Sequence, residues 1–223
     1  MRSVTVPAQV AAINREIVKF FKETDTEGRL IGNARYGVYA FYDYDGEPIY
    51  VGQTAEMLRV RIRRHLTNQR TDAVAMNVLD PFEVAEIEVW PFFDLVPPGA
   101  AETLNAAEYT VFQKVLASSA LKAVLNEKVI PVKPIIDLPA SFRYKIVPPE
   151  IFDDLRHSDI RIARRASTIA NLARVISERD VSPGLRRTLL TQARRLENLA
   201  ALRLTEIGGL LPVEGAGEET GDE

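Results

Sequence analysis

Tyr39 and Tyr50 stand eleven residues apart on either side of Asp45-Gly46, a dipeptide that favours a tight hairpin turn. Strands folded back at that turn bring two phenols close together, and a phenol whose proton is held by neighbours can orient or deprotonate a water. Downstream, Arg61 and His65 are i and i+4, one above the other on a helix. A guanidinium fork beside an imidazole that titrates near neutrality is a natural pair for a phosphate. Glu108 completes the set. At 100° per residue from Leu104 it lies at about 40°, inside the arc of Ala107, Val111, Phe112 and Val115. A carboxylate within an apolar stripe needs a compensating partner, such as a metal ion or an arginine.

Each feature also has a plain structural reading. Tyrosines in strands often only pack, a basic helix face can simply be solvated, and a stripe carboxylate can meet a core arginine or a helix end that reaches solvent.

The elements that must position these groups follow from periodicity. Val10, Ile13, Ile17 and Phe20 predict a helix over residues 7–23, and 36–43 and 47–52 read as two strands. A two-residue turn would set Tyr39 opposite Gly52 and Phe41 opposite Tyr50 on one face, with Gly52 leaving room for a ligand. Val38, Ala40, Tyr42, Ile49 and Val51 would form the opposite, core face. Leu58, Ile62 and Leu66 mark the helix that carries Arg61 and His65. Ala85, Ile87 and Val89 alternate with Glu86 and Glu88 as a third strand, and a helix through Leu104 to Leu116 carries Glu108. The expected fold class is α+β, a small three-stranded antiparallel sheet flanked by helices.

Five prolines interrupt residues 131–149, which read as a semi-extended connector, and 150–208 follow as a helical hairpin. The residues from 209 to 223 form an acidic tail expected to be disordered. With no cysteine and two histidines, any divalent ion should be a hard one bound by oxygen. No stretch reaches the roughly 18 apolar residues of a membrane span, and a soluble cytoplasmic protein is expected. The net charge of −3 hides an uneven distribution: residues 151–208 hold eleven arginines against seven acids. Arg59, Arg61, Arg63, Arg64 and Arg70 form a second basic stripe with no acid between them. Arg59, Arg63, Arg64, Arg161, Arg164 and Arg165 are therefore candidate contacts to a DNA backbone. Self-association into a homodimer through the C-terminal helices is the other expectation for the hairpin. On either reading, a chain ending near Pro149 should keep its chemistry.

Gly37-Val38-Tyr39, Tyr50-Val51-Gly52, Arg61, His65, Glu108 and Asn126, taken in that order, resemble the GIY-YIG nuclease family, with valine in place of isoleucine in both triplets. The resemblance covers about residues 36–130 and says nothing about the hairpin. It implies a catalytic domain within 1–130 that hydrolyses DNA phosphodiesters with one Mg²⁺ or Mn²⁺ on Glu108. Tyr39 would then orient or deprotonate the water and Arg61 would stabilise the transition state. His65 and Tyr50 would assist proton transfer, and Asn126 would fix the architecture or the substrate. Restriction of foreign DNA is the role expected, against a structure-specific repair nuclease or a catalytically silent binding or assembly module.

Overall fold

Runs of aromatic and β-branched residues on each side of Asp45-Gly46 form the strands β1 (Tyr36–Tyr42) and β2 (Pro48–Thr54). They belong to a computed structural model that describes residues 7–66, 78–126 and 128–210. The connection between them differs from the expected two-residue turn. Asp43 N donates to Glu47 O at 3.0 Å and Gly46 N to Asp43 O at 3.1 Å, so the loop holds three residues, the last being Gly46 at φ 76°. One extra loop residue should slip Tyr50 to the wrong face. β2 cancels the slip: Tyr42 pairs with Pro48 but Phe41 with Tyr50, leaving Ile49 as a bulge. The pairing of Tyr39 with Gly52 therefore stands. Ile49 changes sides, packing with Tyr39 and Phe41 rather than with Val38, Ala40 and Val51.

Among the described residues the sheet has four antiparallel strands rather than three, in the order β2-β1-β3-β4, with β3 at Glu86–Phe92 and β4 at Phe142–Lys145. β4 lies inside the supposed connector. Its prolines stop at Pro139 and resume at Pro148, and between them Phe142 and Tyr144 alternate with exposed Arg143 and Lys145. That short window is free to donate to the ladder.

Helices α1 (Ala8–Phe20) and α2 (Leu58–Leu66) cover one face of the sheet, burying Ile17, Phe20, Leu58 and Ile62 against Tyr39 and Phe41. Helix α3 (Ala100–Ser118) covers the other with Ala107, Val111 and Val115 on Val38, Ala40 and Trp90. β2 remains an edge strand between two helical layers. The expected hairpin is α5 (Ser158–Glu178) and α6 (Pro183–Glu206), preceded by a short α4 (Pro149–Arg156). Pro149 occupies the first turn of α4, where a missing N–H costs nothing. Among the described residues no helix is long and apolar enough to cross a membrane. Arg70 and the acidic tail from residue 211 lie outside the described residues.

The hairpin docks on the sheet through charge. Arg161, Arg165 and Arg195 are 2%, 5% and 1% exposed, and Asp43 and Glu83 are as deeply enclosed. Asp43 Oδ1 accepts from the N–H groups of Asp45 and Glu47, while Oδ2 accepts from Arg165 at 3.0 Å and Arg195 at 2.6 Å. Glu83 takes Arg165 Nε at 2.9 Å and Arg164 Nη2 at 2.6 Å, and Arg161 Nη1 reaches Asp45 at 2.7 Å. Burial opposes the charge on Arg161, but Glu83, Asp43 and Asp45 together outweigh it and raise its pKa. Arg161, Arg164 and Arg165 thus face the protein interior and not an external phosphate.

These pairs also change the expectation for a shortened chain. A chain ending at Pro149 would lose the arginines that neutralise Asp43 and Glu83 and would bare the apolar surface around Val78 that α5 and α6 cover, and should be insoluble or unfolded by circular dichroism. Asp43→Ala leaves Arg195 with no carboxylate and takes one from Arg161 and Arg165, which keep Asp45 and Glu83, and should cost about 3–5 kcal/mol in urea unfolding. A loss below about 1 kcal/mol would show that the network contributes little.

Candidate active site at the β2 edge

A cleft of about 540 Å³ opens beside β2 and is lined from both the α2 and the α3 layer. Tyr50 and Gln53 of β2, Arg61 and His65 of α2, Asn105 and Glu108 of α3, and Asn126 and Lys128 all line it. Five of the six candidate catalytic residues therefore share one cavity.

The sixth, Tyr39, stands behind the wall. It is fully buried in the centre of β1, and its hydroxyl accepts from Arg61 Nε at 3.2 Å. Gly52 explains how it fits. A Cβ there would lie 2.7 Å from Tyr39 Oη and 2.8 Å from the Tyr50 ring, so the glycine makes room for the protein's own phenols and not for a ligand. His65 closes the group, edge-on to Tyr39 at 5.8 Å and 5.3 Å from the Tyr50 ring centroid.

Helix α2 presents its two candidates because Leu58, Ile62 and Leu66 are buried beneath them. Desolvation works against the Arg61 charge, but Tyr39, Tyr50 and Glu56 together outweigh it and raise its pKa. Arg61 keeps its charge while half-buried. On the same helix Arg59 donates to Asn33, Arg64 pairs with Glu56, and Arg63 is exposed. Arg59 and Arg63 are the members of this stripe most open to solvent.

Glu108 is half-buried, between Ala107 and Val111 of the core face, and it opens toward the cleft. Its hydrogen-bond partner is not a core arginine but the Gln53 amide, Nε2 to Oε2 at 3.2 Å. Desolvation pushes its pKa above the ordinary carboxylate value, against the opposing Gln53 hydrogen bond and Arg61 charge. Such a group gains from a cation. Among the described residues no three His, Cys, Asp or Glu side chains converge as a metal cage. The donors fit a hard ion that takes its remaining oxygens from water and substrate, as magnesium commonly does.

Asn126 acts as a strand partner: its Oδ1 accepts from Val51 N at 3.2 Å and its Nδ2 donates to Val51 O at 2.8 Å. Gln53 and Asn105 were not singled out from the sequence. A signal was present, because Asn105 is three residues before Glu108 on one helix face and strand alternation turns Gln53 to the α3 side.

Residues 35–117 match the family model of the GIY-YIG catalytic domain. The match runs from the start of β1 to the end of α3 and includes Tyr39, Tyr50, Arg61, His65 and Glu108. No curated protein and no solved structure matches the chain.

Because the folded-state pKa of Glu108 is raised, its burial is tolerated at low pH and becomes a cost as pH rises through that pKa. In metal-free buffer at neutral pH, Glu108→Gln should therefore be the more stable protein by about 1 kcal/mol, or about 2–4 °C in melting temperature. The difference should vanish well below the ordinary glutamate range. A less stable variant at pH 7 would contradict the desolvation argument.

Proposed function

We propose, for a chain that carries a GIY-YIG catalytic domain at residues 35–117, that it is a divalent-metal-dependent endonuclease that hydrolyses DNA phosphodiester bonds and serves in restriction of foreign DNA. The observation that carries this reading is the cleft itself. It sets a charged arginine and an imidazole from one layer opposite a desolvated carboxylate from the other, with a phenol between them. A phosphodiester needs positive charge for its oxygens and a proton acceptor for the attacking water, and the leaving oxygen must be stabilised. Arg61 supplies the first, held in orientation by the Tyr39 hydroxyl at 3.2 Å. Tyr50 and His65 front the cleft, and on this reading they would assist proton transfer from the attacking water and hold the phosphate. Tyr39, behind them, acts through Arg61 and its ring contacts. Glu108 would hold Mg²⁺ or Mn²⁺, with Lys128 on the same wall as a phosphate contact. Bound there, the ion supplies Lewis-acid polarisation of the phosphate and helps the leaving oxygen depart.

A half-buried carboxylate facing a cleft argues against a silent binding module, which has no use for that cost. The role is tested by incubating purified protein with plasmid, phage and branched DNA in Mg²⁺ or Mn²⁺ and mapping the ends. Discrete fragments support restriction, cleavage confined to junctions supports repair, and binding without cleavage supports a silent module.

Glu108→Gln should abolish cleavage while DNA binding survives. Tyr39→Phe and Arg61→Ala should each slow the bond-breaking step by about two orders of magnitude, with a smaller effect on the DNA concentration at half-saturation. Single-turnover kinetics would separate the two, and near-normal rates in both variants would move the chemistry elsewhere.

A further inference from the structure

Gln53 Nε2 sits between two oxygens of α3, 2.6 Å from Asn105 Oδ1 and 3.2 Å from Glu108 Oε2. Asn105 and Glu108 are i and i+3, so they project side by side from one face of the helix. All three residues line the cleft. Two oxygen acceptors thus converge on one point, and that point is held by the partially positive end of an amide.

The side-chain oxygen of asparagine is a hard neutral donor of the type that calcium and magnesium accept beside a carboxylate. Asn105 is exposed and anchors nothing in the core, so its role is not explained by packing. The amide nitrogen offers two N–H groups to oxygens that would otherwise lie side by side with no donor between them. A divalent cation satisfies the same two oxygens more strongly, at about 2.0–2.6 Å, after a small side-chain movement.

From this geometry, and on the reading that Glu108 binds a divalent ion, we infer that Asn105 Oδ1 is a second protein ligand of that ion and that the Gln53 amide is its placeholder, displaced when the ion enters. The inference separates the three side chains by sign. Losing a ligand weakens the ion, whereas losing the placeholder removes a competitor. If Gln53 merely braced Glu108, its removal would loosen the carboxylate and weaken the ion instead.

The test is Mn²⁺ binding to the full-length protein without DNA, read from the loss of the free-ion paramagnetic resonance signal and from the Mn²⁺-dependent rise in melting temperature. The unsubstituted protein should bind saturably, with a dissociation constant on the order of 10⁻⁴–10⁻³ M. Asn105→Ala should weaken binding about tenfold, Asn105→Asp should restore or tighten it, and Gln53→Ala should tighten it several-fold. Circular dichroism confirms that each variant folds. Loss of binding in Glu108→Gln with Asn105→Ala unchanged within twofold would overturn the inference while leaving Glu108 as the ion's ligand. Weakening by Gln53→Ala would overturn the placeholder. Equal binding by Glu108→Gln and the unsubstituted protein, or no saturable binding by either, would overturn the inference together with the reading on which it rests.

Discussion

Two carboxylates and their arginine partners hold the C-terminal helices to the sheet, and the rest of the structure depends on that contact. Asp43, just after β1, and Glu83, in the 3-10 turn before β3, are both buried where α5 and α6 meet the sheet. An isolated charge there would cost several kcal/mol. The cost is offset because α5 and α6 send arginines inward at the positions where apolar residues would ordinarily sit. Asp43 Oδ2 is approached by three guanidiniums, at 2.6, 3.0 and 3.4 Å. That crowding leaves Arg161 Nε and Nη2 without hydrogen bonds despite their proximity to carboxylates. Removing either side leaves the other uncompensated, so sheet and hairpin are interdependent parts of one structure.

The same contact reaches the cleft through a single guanidinium. Arg195 donates from Nη1 to Pro48 O, at the start of β2, and to Ala123 O, in the segment that runs beside β2. Just beyond Ala123, Leu125 N bonds to Ile49 O at 2.7 Å and Asn126 pairs with Val51. The outer edge of β2, which presents Tyr50 and Gln53, is therefore closed by a segment tied to the arginine network. An edge strand left with unpaired N–H and C=O groups would be free to shift register.

Burial treats two kinds of carboxylate differently in this protein. Asp43 receives two backbone N–H groups and several guanidiniums, enough to satisfy it completely. Glu108 receives hydrogen bonds from Gln53 alone among the described residues, and Arg61, whose charge also acts on it, donates its Nε to a phenol. The first arrangement stabilises the fold. The second leaves a carboxylate whose charged form is disfavoured until something positive enters the cleft, which is the energetic signature of a group kept for chemistry.

How much of this was legible in the sequence divides along the range of the interactions. Helical and strand periodicity operate within a few residues, so the faces of α2 and α3 could be read directly, and with them the grouping of Arg61 with His65 and the place of Glu108 within an apolar stripe. The pairing of Tyr39 with Gly52 was read correctly although the loop was not, because a bulge at Ile49 compensated a longer turn. β4 escaped because its four residues lie among prolines, which dominate a window of that length. The arginines of α5 and α6 escaped for a different reason. Arginine is a surface residue unless it is paired, and the acids that pair with Arg165 and Arg195 lie 82 to 152 residues away along the chain. Local pattern therefore determined most of the elements and which side chains they could bring together. Only tertiary structure could decide which charges are interior, because that depends on a desolvation cost balanced by partners whose proximity exists only after folding.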